Sequence, residues 1–239
     1  MGVPQAPPFI YNNVMKIIHL DEIDSTNSYL IREADKLDNM TLVETNYQTN
    51  GKGREERIWL ANKNENVMFS ILIKDKELID KYPALSMLSA LLVRNFIESK
   101  GVKNATVKWP NDVYADGKKI CGMLLQGQIP NYLVIGIGIN VNQREFLGKY
   151  RSVPTSLALE TRKIVDLEAF KKDLYKYIEE KFDQFKKGLY DPLNEIRKYN
   201  YLEDKMIEQG KVLDINPDYS LKVETPEGII NLTSGEVNM

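Results

Sequence analysis

The stretch that decides the fold is KWPNDVYADGKKICG, which occupies residues 108–122. Its first residues favour a β-strand, and Pro110 ends strand pairing because a proline has no N–H to donate to a sheet. Asn111 and Asp112 follow directly, so they are predicted to form a polar corner at the end of that strand.

A β-hairpin is predicted just after this corner. Asp116-Gly117 separates two strand-like runs, which is the strongest short-range signal for a hairpin. The hairpin would fold Lys118 and Lys119 back towards the corner, while Gly122 leaves a bare position that a ligand can approach closely. The stretch therefore predicts a site for an anionic ligand. From these residues alone, it is an equally good interpretation that Lys108 and Lys119 are two surface lysines on a hairpin.

The composition fits one domain with an appendage or two small domains, since the chain has 239 residues of which 43% are hydrophobic. The net charge is −2 and the pI is about 5.7, so no overall basic field attracts nucleic acid. A single cysteine, Cys121, excludes an intramolecular disulfide and a cysteine-cluster metal site. A single histidine, His19, excludes a His-rich metal site and disfavours a His-dependent nucleophilic triad.

The N-terminal residues predict neither a leader nor a membrane anchor. Residues 1–14 contain three prolines and no periodicity, so we expect a loose N-terminal tail. No apolar run is long enough to cross a bilayer, and no charged-then-apolar leader opens the chain. We therefore expect a cytoplasmic protein that does not contact membranes.

Two other polar stretches are candidates for ligand contact. Residues 24–27 offer several helix N-caps in a row, which is more than one cap needs. Residues 48–59, here called the glycine–arginine loop, place two glycines among Lys52, Arg54 and Arg57, so the loop can bring N–H groups and charge to a phosphate. The loop lacks the Walker pattern. Taken alone, it favours a solvated basic loop.

A glycine-containing strand is predicted over residues 132–141. Gly136 and Gly138 stand at alternate positions, so both bare spots lie on one face of the strand. They predict either a flat floor beneath a ligand ring or the close packing of a helix, and the residues favour neither alternative.

The remaining pattern predicts an α+β protein. Strands are expected near residues 15–20, 41–47 and 67–73, and helices over residues 84–97 and 167–188 with a shorter one after Pro192. From residue 206 the pattern changes to short strands with turns, which indicates a small β-unit, barrel-like in its patterning. We expect a tail at residues 1–14, a catalytic domain at residues 15–190 and a small β-domain at residues 191–239.

Four stretches together resemble the signature of biotin–protein ligases in the same order. They are residues 24–27, the glycine–arginine loop, residues 108–122 and the run IGIGIN at residues 135–140. The Lys-Trp-Pro-Asn-Asp motif with the following Lys-x-x-Gly is the specific part. The resemblance implies a mixed β-sheet flanked by helices with a small C-terminal β-domain, of the ligase-only class that lacks an N-terminal DNA-binding domain.

The resemblance also implies an activity. Such a ligase activates biotin with ATP to biotinyl-5'-AMP and then transfers the biotin to a lysine of a biotin carboxyl carrier protein or domain. The implied partners are biotin, ATP and that carrier, with Mg²⁺ carried by ATP, no metal site in the protein, no DNA and no membrane. Whether the chain forms a homodimer stays open.

The resemblance assigns roles to individual residues. The implied catalytic residues are Lys119, Arg54 and Asp112. The implied biotin-binding residues are Ser25, Thr26, Asn27, Gln48, Gly51, Lys52, Trp109, Lys119, Gly122 and Gly138. The implied nucleotide-binding residues are Arg54, Arg57, Trp59, Lys108, Asn111 and Asn140.

Two alternatives to this activity remain. One is a lipoate or octanoate ligase, which shares the fold, although the Lys-Trp-Pro-Asn-Asp motif and the glycine–arginine loop favour biotin. The other is a non-catalytic biotin-binding regulator, which Lys119, Arg54 and Arg57 disfavour. A nucleic-acid-binding module is disfavoured by the acidic pI.

Overall fold

A seven-stranded sheet forms the centre of the molecule, with strand order β1-β2-β3-β7-β6-β5-β4. The computed structural model describes residues 15–55, 57–148, 150–235 and 237. The predicted tail at residues 1–14 lies outside the described residues. The strands are β1 (Lys16–Ile23), β2 (Thr41–Gln48), β3 (Asn66–Ile73), β4 (Ala105–Lys108), β5 (Asp112–Ala115), β6 (Lys118–Gln128) and β7 (Tyr132–Asn140).

The sheet is mixed, as predicted. β1 pairs with β2 in parallel, whereas the other neighbouring strands of this sheet pair antiparallel. The β5–β6 hairpin is confirmed, and both of its turn residues have positive φ, 45° at Asp116 and 75° at Gly117. This backbone matches the twist of the flanking strands and explains the Asp-Gly pair.

Helices cover the two faces of the sheet unequally. The helices are α1 (Thr26–Glu33), α2 (Lys76–Ile79), α3 (Tyr82–Ser99), α4 (Leu157–Thr161), α5 (Leu167–Lys186) and α6 (Leu193–Lys198), with a 3₁₀ turn at Ala34–Lys36. The long helices α3 and α5 pack against each other and on one face of the sheet, where they form the main apolar core. On the opposite face, α1 and the 3₁₀ turn after it cover a small cluster around Leu30.

The alternation of side chains along the strands explains this division. In β3, Val67, Phe69 and Ile71 point into the main core, while Leu72 joins the small cluster under α1. Successive strand residues face opposite sides of a sheet, so the neighbouring face of β5, β6 and β7 is left for other contacts. That face carries the candidate site.

The chain ends in a second, antiparallel sheet of order β11-β10-β9-β8, which confirms the predicted C-terminal β-unit. Its strands are β8 (Met206–Ile207), β9 (Gly210–Ile215), β10 (Leu221–Thr225) and β11 (Gly228–Leu232). This sheet reaches the corner of the main sheet, because Trp109 donates its Nε1–H to the Tyr219 carbonyl at 2.9 Å. Apolar residues of both sheets belong to one core.

Across the described ranges, no helix combines the length and the apolar character that a bilayer span requires.

Candidate functional site

A cavity of about 530 Å³ lies on the face of the main sheet that the long helices leave open. This volume is in the range usual for small-molecule sites. The start of α1, the glycine–arginine loop, the corner at residues 108–112 and strands β5 to β7 line it.

A β-bulge places the central lysine in this cavity. On β6, Lys119 pairs with Tyr114, but Cys121 rather than Ile120 pairs with Val113, so one residue is extra. Ile120 and Cys121 are both in the main core. The extra residue shifts the alternation, so Lys119 and Gly122 both face the cavity although they are three positions apart.

The indole of Trp59 lies over a pair of bare positions, Gly122 and Gly138, here called the glycine floor. The two glycines face each other on β6 and β7. A Cβ on Gly138 would lie 2.5 Å from Cε2 of Trp59, and a Cβ on Gly122 would lie 3.1 Å from its Cζ3. A flat ring does therefore rest on this floor, and it belongs to the protein's own loop.

Gly136, by contrast, is bare because α1 packs against it. A Cβ there would lie 2.1 Å from Oδ1 of Asn27. Asn27 is buried, donates to the Leu124 carbonyl and to Gln126 Oε1 at 3.1 and 3.0 Å, and accepts from Ser70 at 2.6 Å. The helix-packing interpretation is thus confirmed at Gly136, whereas Gly138 lies beneath the indole of Trp59.

The start of α1 brings the predicted polar cluster to the cavity wall. Ser25 caps the helix by accepting from the Ser28 amide. Gln48 Oε1 accepts from the Thr26 amide and hydroxyl at 2.9 and 3.1 Å. Among the described residues, the Nε2 of Gln48 donates only to the Met68 sulfur, at 3.6 Å, and a thioether is a weak acceptor. Gln48 therefore retains a donor for a ligand.

Positive charge dominates the cavity lining. Nζ of Lys119 lies 2.7 Å from Oδ1 of Asp112, and Asp112 is the sole carboxylate among the described lining residues. The cations that line the cavity are Lys52, Arg54, Arg57, Lys108, Lys119 and Arg151. Burial, followed by the repulsion from Lys119, Arg151 and Lys205, lowers the pKa of Lys108 despite the opposing attraction of Asp112.

The glycine–arginine loop folds back on itself as a short hairpin. Gly53 donates to the Arg57 carbonyl at 2.7 Å, and Trp59 donates to the Gly51 carbonyl at 2.9 Å. Arg57 bonds the Arg54 carbonyl and Glu55. Burial lowers the pKa of the Arg54 guanidinium, which donates to Asn111 Oδ1 at 3.2 Å. The loop thus presents its arginines to the cavity.

Buried polar atoms without hydrogen bonds surround the same space. Among the described residues, the side chains of Trp59 and Asn140 each leave one buried atom unpaired, Nε1 and Oδ1 respectively. Oδ1 of Asp112 also lacks a hydrogen bond and has only its ion pair with Lys119. Unpaired buried polar atoms are costly, so their clustering at one cavity points to a polar ligand.

Of the catalytic, biotin-binding and nucleotide-binding residues that the resemblance implies, all line this cavity except Gly51. Gly51 stands at the base of the glycine–arginine loop, where a Cβ would lie 2.6 Å from the Trp59 carbonyl oxygen. The expectation that Lys118 would join the corner is wrong. Lys118 points towards α4 and pairs with Glu160 at 3.0 Å.

Sequence reasoning missed several lining residues, among them Tyr114, Arg151 and Val237. Tyr114 follows Asp112 by two positions on β5, so the alternation of strand residues could have identified it. Arg151 lies in a loop and Val237 follows the last strand; no local pattern distinguishes either of them. Cys121 is a buried core residue, as expected, and its burial raises its thiol pKa.

Within the described part of the chain, no three residues of His, Cys, Asp or Glu are grouped to hold a metal ion.

Comparisons with known proteins agree with this geometry. The model of the biotin/lipoate A/B protein ligase family matches residues 20–142, about half of the chain. The bifunctional ligase/repressor BirA of Bacillus spizizenii is 27% identical over 83% of this chain and 66% of its own length. The biotin–[acetyl-CoA-carboxylase] ligase of Mycobacterium tuberculosis is 30% identical over 50% of this chain and 47% of its own.

The likeness to one solved structure extends over almost the whole chain. Biotin protein ligase from Aquifex aeolicus, in complex with biotin and ATP, superposes with a TM-score of 0.84 and 29% identity. The match covers 95% of this chain and 98% of that chain. It confirms the expected fold, a mixed sheet flanked by helices with a small C-terminal β-unit. On the family model and this fold together, the chain belongs to the biotin/lipoate A/B protein ligase family.

Proposed function

We propose that this chain is an ATP-dependent biotin–protein ligase. It would convert biotin and ATP to biotinyl-5'-AMP and pyrophosphate, and then transfer the biotin to a lysine of a biotin carboxyl carrier protein or domain. The relatives named as biotin ligases and the Aquifex complex with biotin and ATP support this choice over a lipoate or octanoate ligase.

One observation carries the proposal. Lys119, Arg54 and Lys108 meet at one cavity beside the glycine floor, with Asp112 as the single carboxylate of the described lining. Joining a carboxylate to ATP brings two anions together, so the protein's main tasks are charge neutralisation and positioning. A cavity lined by six cations among the described residues is suited to both.

In the first step, an oxygen of the biotin carboxylate would attack the α-phosphorus of ATP. A C–O–P linkage forms, the bond from the α-phosphorus to the bridging oxygen breaks, and pyrophosphate leaves with the electron pair. We propose that Lys119 binds the carboxylate and the α-phosphate together, since a compact ammonium can serve two oxygens at once. Arg54 and Arg57 would hold phosphate oxygens, and Lys52 would add positive charge.

In the second step, the amine of the carrier lysine would attack the acyl carbon. A C–N bond forms, the bond from the acyl carbon to the AMP oxygen breaks, and AMP leaves. We propose that Asp112 accepts a hydrogen bond from the incoming amine and receives its proton. Its Oδ1, which has an ion pair with Lys119 but no hydrogen bond, supports this role.

The proposed ligand contacts divide the cavity into two parts. Ser25, Thr26 and Gln48 would face the biotin ring, with Asn27 and Gly51 fixing the local backbone and Trp109 at the biotin tail. Trp59, Asn111 and Asn140 would face the nucleotide. The unpaired Oδ1 of Asn140 is an acceptor, which matches the exocyclic amine of adenine.

Mg²⁺ would be bound to the phosphates of ATP. The described lining offers one carboxylate, Asp112, which is paired with Lys119, so a protein cage for the ion is not available there. When bound, the ion would neutralise phosphate charge, and the cavity cations would share that task.

We also propose that residues 15–190 hold the catalytic site, that residues 191–239 support it, and that DNA takes no part in the reaction.

A homodimer through the exposed edge of β1 is a further proposal, because an edge strand leaves backbone groups unpaired. Light scattering on the purified protein would measure the mass in solution.

The test of the main proposal is an incubation with biotin, ATP and a carrier domain, followed by intact-mass measurement. The expected result is a carrier heavier by one biotinyl group. Lipoate in place of biotin is the control and should give no product. Biotin binding without biotin-dependent pyrophosphate exchange would instead indicate a non-catalytic regulator, and transfer of lipoate alone would reverse the substrate assignment.

A further inference from the structure

Residues near the C-terminal end of the chain enter the same cavity. Val237 is 5% exposed, lines the cavity and belongs to the main apolar core. The carbonyl of Gly235 accepts a hydrogen bond from Nη2 of Arg54 at 2.8 Å. A segment that follows the last strand, β11, therefore touches the arginine proposed to hold phosphate.

Arg54 is held from two sides. Its Nη1 donates to Oδ1 of Asn111 at 3.2 Å, opposite the bond from Nη2 to Gly235. Asn111 is itself fixed, because its amide nitrogen Nδ2 donates to the Met123 carbonyl and its backbone N–H donates to the Lys108 carbonyl. The guanidinium thus has one acceptor from the corner of the main sheet and one from the C-terminal segment.

Both acceptors are neutral. A carboxylate in either place would cancel the charge of Arg54, whereas an amide oxygen and a backbone carbonyl fix its direction and leave its charge available. A guanidinium has five N–H donors, so further donors remain for an anion. A planar guanidinium forms paired hydrogen bonds to a phosphate only when its orientation is fixed.

We propose that the segment of Gly235 and Val237, here called the C-terminal strap, is a positioning element for Arg54. The apolar side chain of Val237 anchors the strap in the core, and the Gly235 carbonyl orients the guanidinium towards the phosphates of ATP and of the adenylate. This inference rests on the proposed function and assigns a role in nucleotide binding to the C-terminal unit of the same chain.

The test compares four proteins: the full chain, a deletion of residues 235–239, Arg54→Ala, and the deletion combined with Arg54→Ala. Removing the strap should raise the KM for ATP and the dissociation rate of the adenylate by about tenfold each, the usual effect of one hydrogen bond to a charged group. Biotin affinity without ATP should stay within about twofold, because Arg54 is not needed for it.

The combined variant separates positioning from general support. If the strap acts through Arg54, the deletion should have no added effect on either quantity once Arg54 is alanine. Equal effects in both backgrounds would overturn the proposal, and so would an unchanged KM for ATP in a folded deletion variant. A lower KM for ATP or a slower release would show that the strap blocks the site instead.

If the deletion variant does not fold, a milder variant tests whether the strap positions Arg54. Val237→Ala keeps the Gly235 carbonyl but loosens its anchor, so KM for ATP should rise severalfold. Ile229→Ala, in the same C-terminal sheet and 58% exposed, is the matched control and should leave KM unchanged. Equal KM values for the two variants would overturn the proposal. Absence of adenylate with the unaltered chain would instead refute the proposed ligase activity.

Discussion

Lys119 and Asp112 form an ion pair inside the cavity, with Nζ 2.7 Å from Oδ1. The two residues come from adjacent strands, β6 and β5, and their side chains are only 28% and 18% exposed. An entering carboxylate would have to share this ammonium with Asp112. The pair therefore holds the cation in place before any ligand arrives.

Replacing Lys119 by alanine should abolish adenylate formation while the protein stays folded. The expected fall in biotin-dependent pyrophosphate exchange is at least about a hundredfold, the usual cost of removing a group that stabilises developing charge. Lys118→Ala is the matched control, because Lys118 pairs with Glu160 outside the cavity. Its exchange rate should stay within about twofold of the unaltered protein. Equal rates for Lys119→Ala and the control would remove Lys119 from the reaction.

Replacing Arg54 by alanine should speed the escape of the adenylate. The loop arginine is half-buried at the cavity and bonds Asn111, so its loss removes a positive charge and a contact between the loop and the corner. Release of pre-formed adenylate, followed by rapid filtration, should be about tenfold faster or more. The release rate of Arg54→Lys should lie between those of the unaltered protein and Arg54→Ala, since lysine keeps the charge but cannot form the paired hydrogen bonds of a guanidinium. An unchanged release rate in both variants would contradict this role.

Alanine at Gly136 and at Gly138 should have different consequences. At Gly136 the new Cβ meets Asn27, which anchors α1, so the free energy of unfolding should fall by about 1–3 kcal/mol. At Gly138 it meets the Trp59 indole in the loop, so stability should change little while KM for ATP rises. Thermal unfolding and exchange kinetics on both variants measure the contrast. Equal stability losses would mean that the Trp59 loop is as firmly packed as α1.

Lys108 should lower stability at neutral pH. Its folded-state pKa lies below the ordinary value, chiefly through burial, so the unfolded chain binds more protons in the alkaline window between the two pKa values. Stability contributed by this group therefore rises with pH across that window. Lys108→Met should be more stable than the unaltered protein at neutral pH, by a margin that shrinks as the pH rises through the folded pKa, and should bind ATP less tightly.

Denaturant unfolding at several pH values measures this margin. The exposed Lys103→Met is the matched control and should show neither a gain at neutral pH nor a loss of ATP affinity. If the stability advantage of Lys108→Met over the unaltered protein grew with pH, it would contradict a lowered pKa for Lys108.

Much of the fold followed from local patterns. The Asp116-Gly117 turn was predicted correctly, and the cap of α1 is one of the candidates named at residues 24–27, because both features depend on residues adjacent in sequence. The residues named for the site also came together at one cavity, since their spacing matches a known family. Their individual roles remain proposals.

Other features depend on partners far apart in sequence. Arg54 and Gly235 are 181 positions apart, and no periodicity connects them. The direction of Lys118 was mispredicted because the bulge at Ile120 reverses the alternation between it and Gly122. The two glycines of the strand at residues 132–141 look alike in sequence, yet one contacts a helix and the other a loop tryptophan.

The extra residue in β6 lies between the lysine and the glycine of the Lys-x-x-Gly motif and determines their relative directions. In a regular strand, residues separated by two others point in opposite directions, so Lys-x-x-Gly would put either the ammonium or the glycine on the wrong side. Deleting Ile120 would restore regular pairing with β5 and leave Lys119 and Gly122 two positions apart on one face, so the extra residue is what allows a spacing of three. The two residues between the lysine and the glycine therefore indicate a β-bulge. Any chain with the same Lys-x-x-Gly spacing should contain the same bulge, whatever residues occupy those two positions.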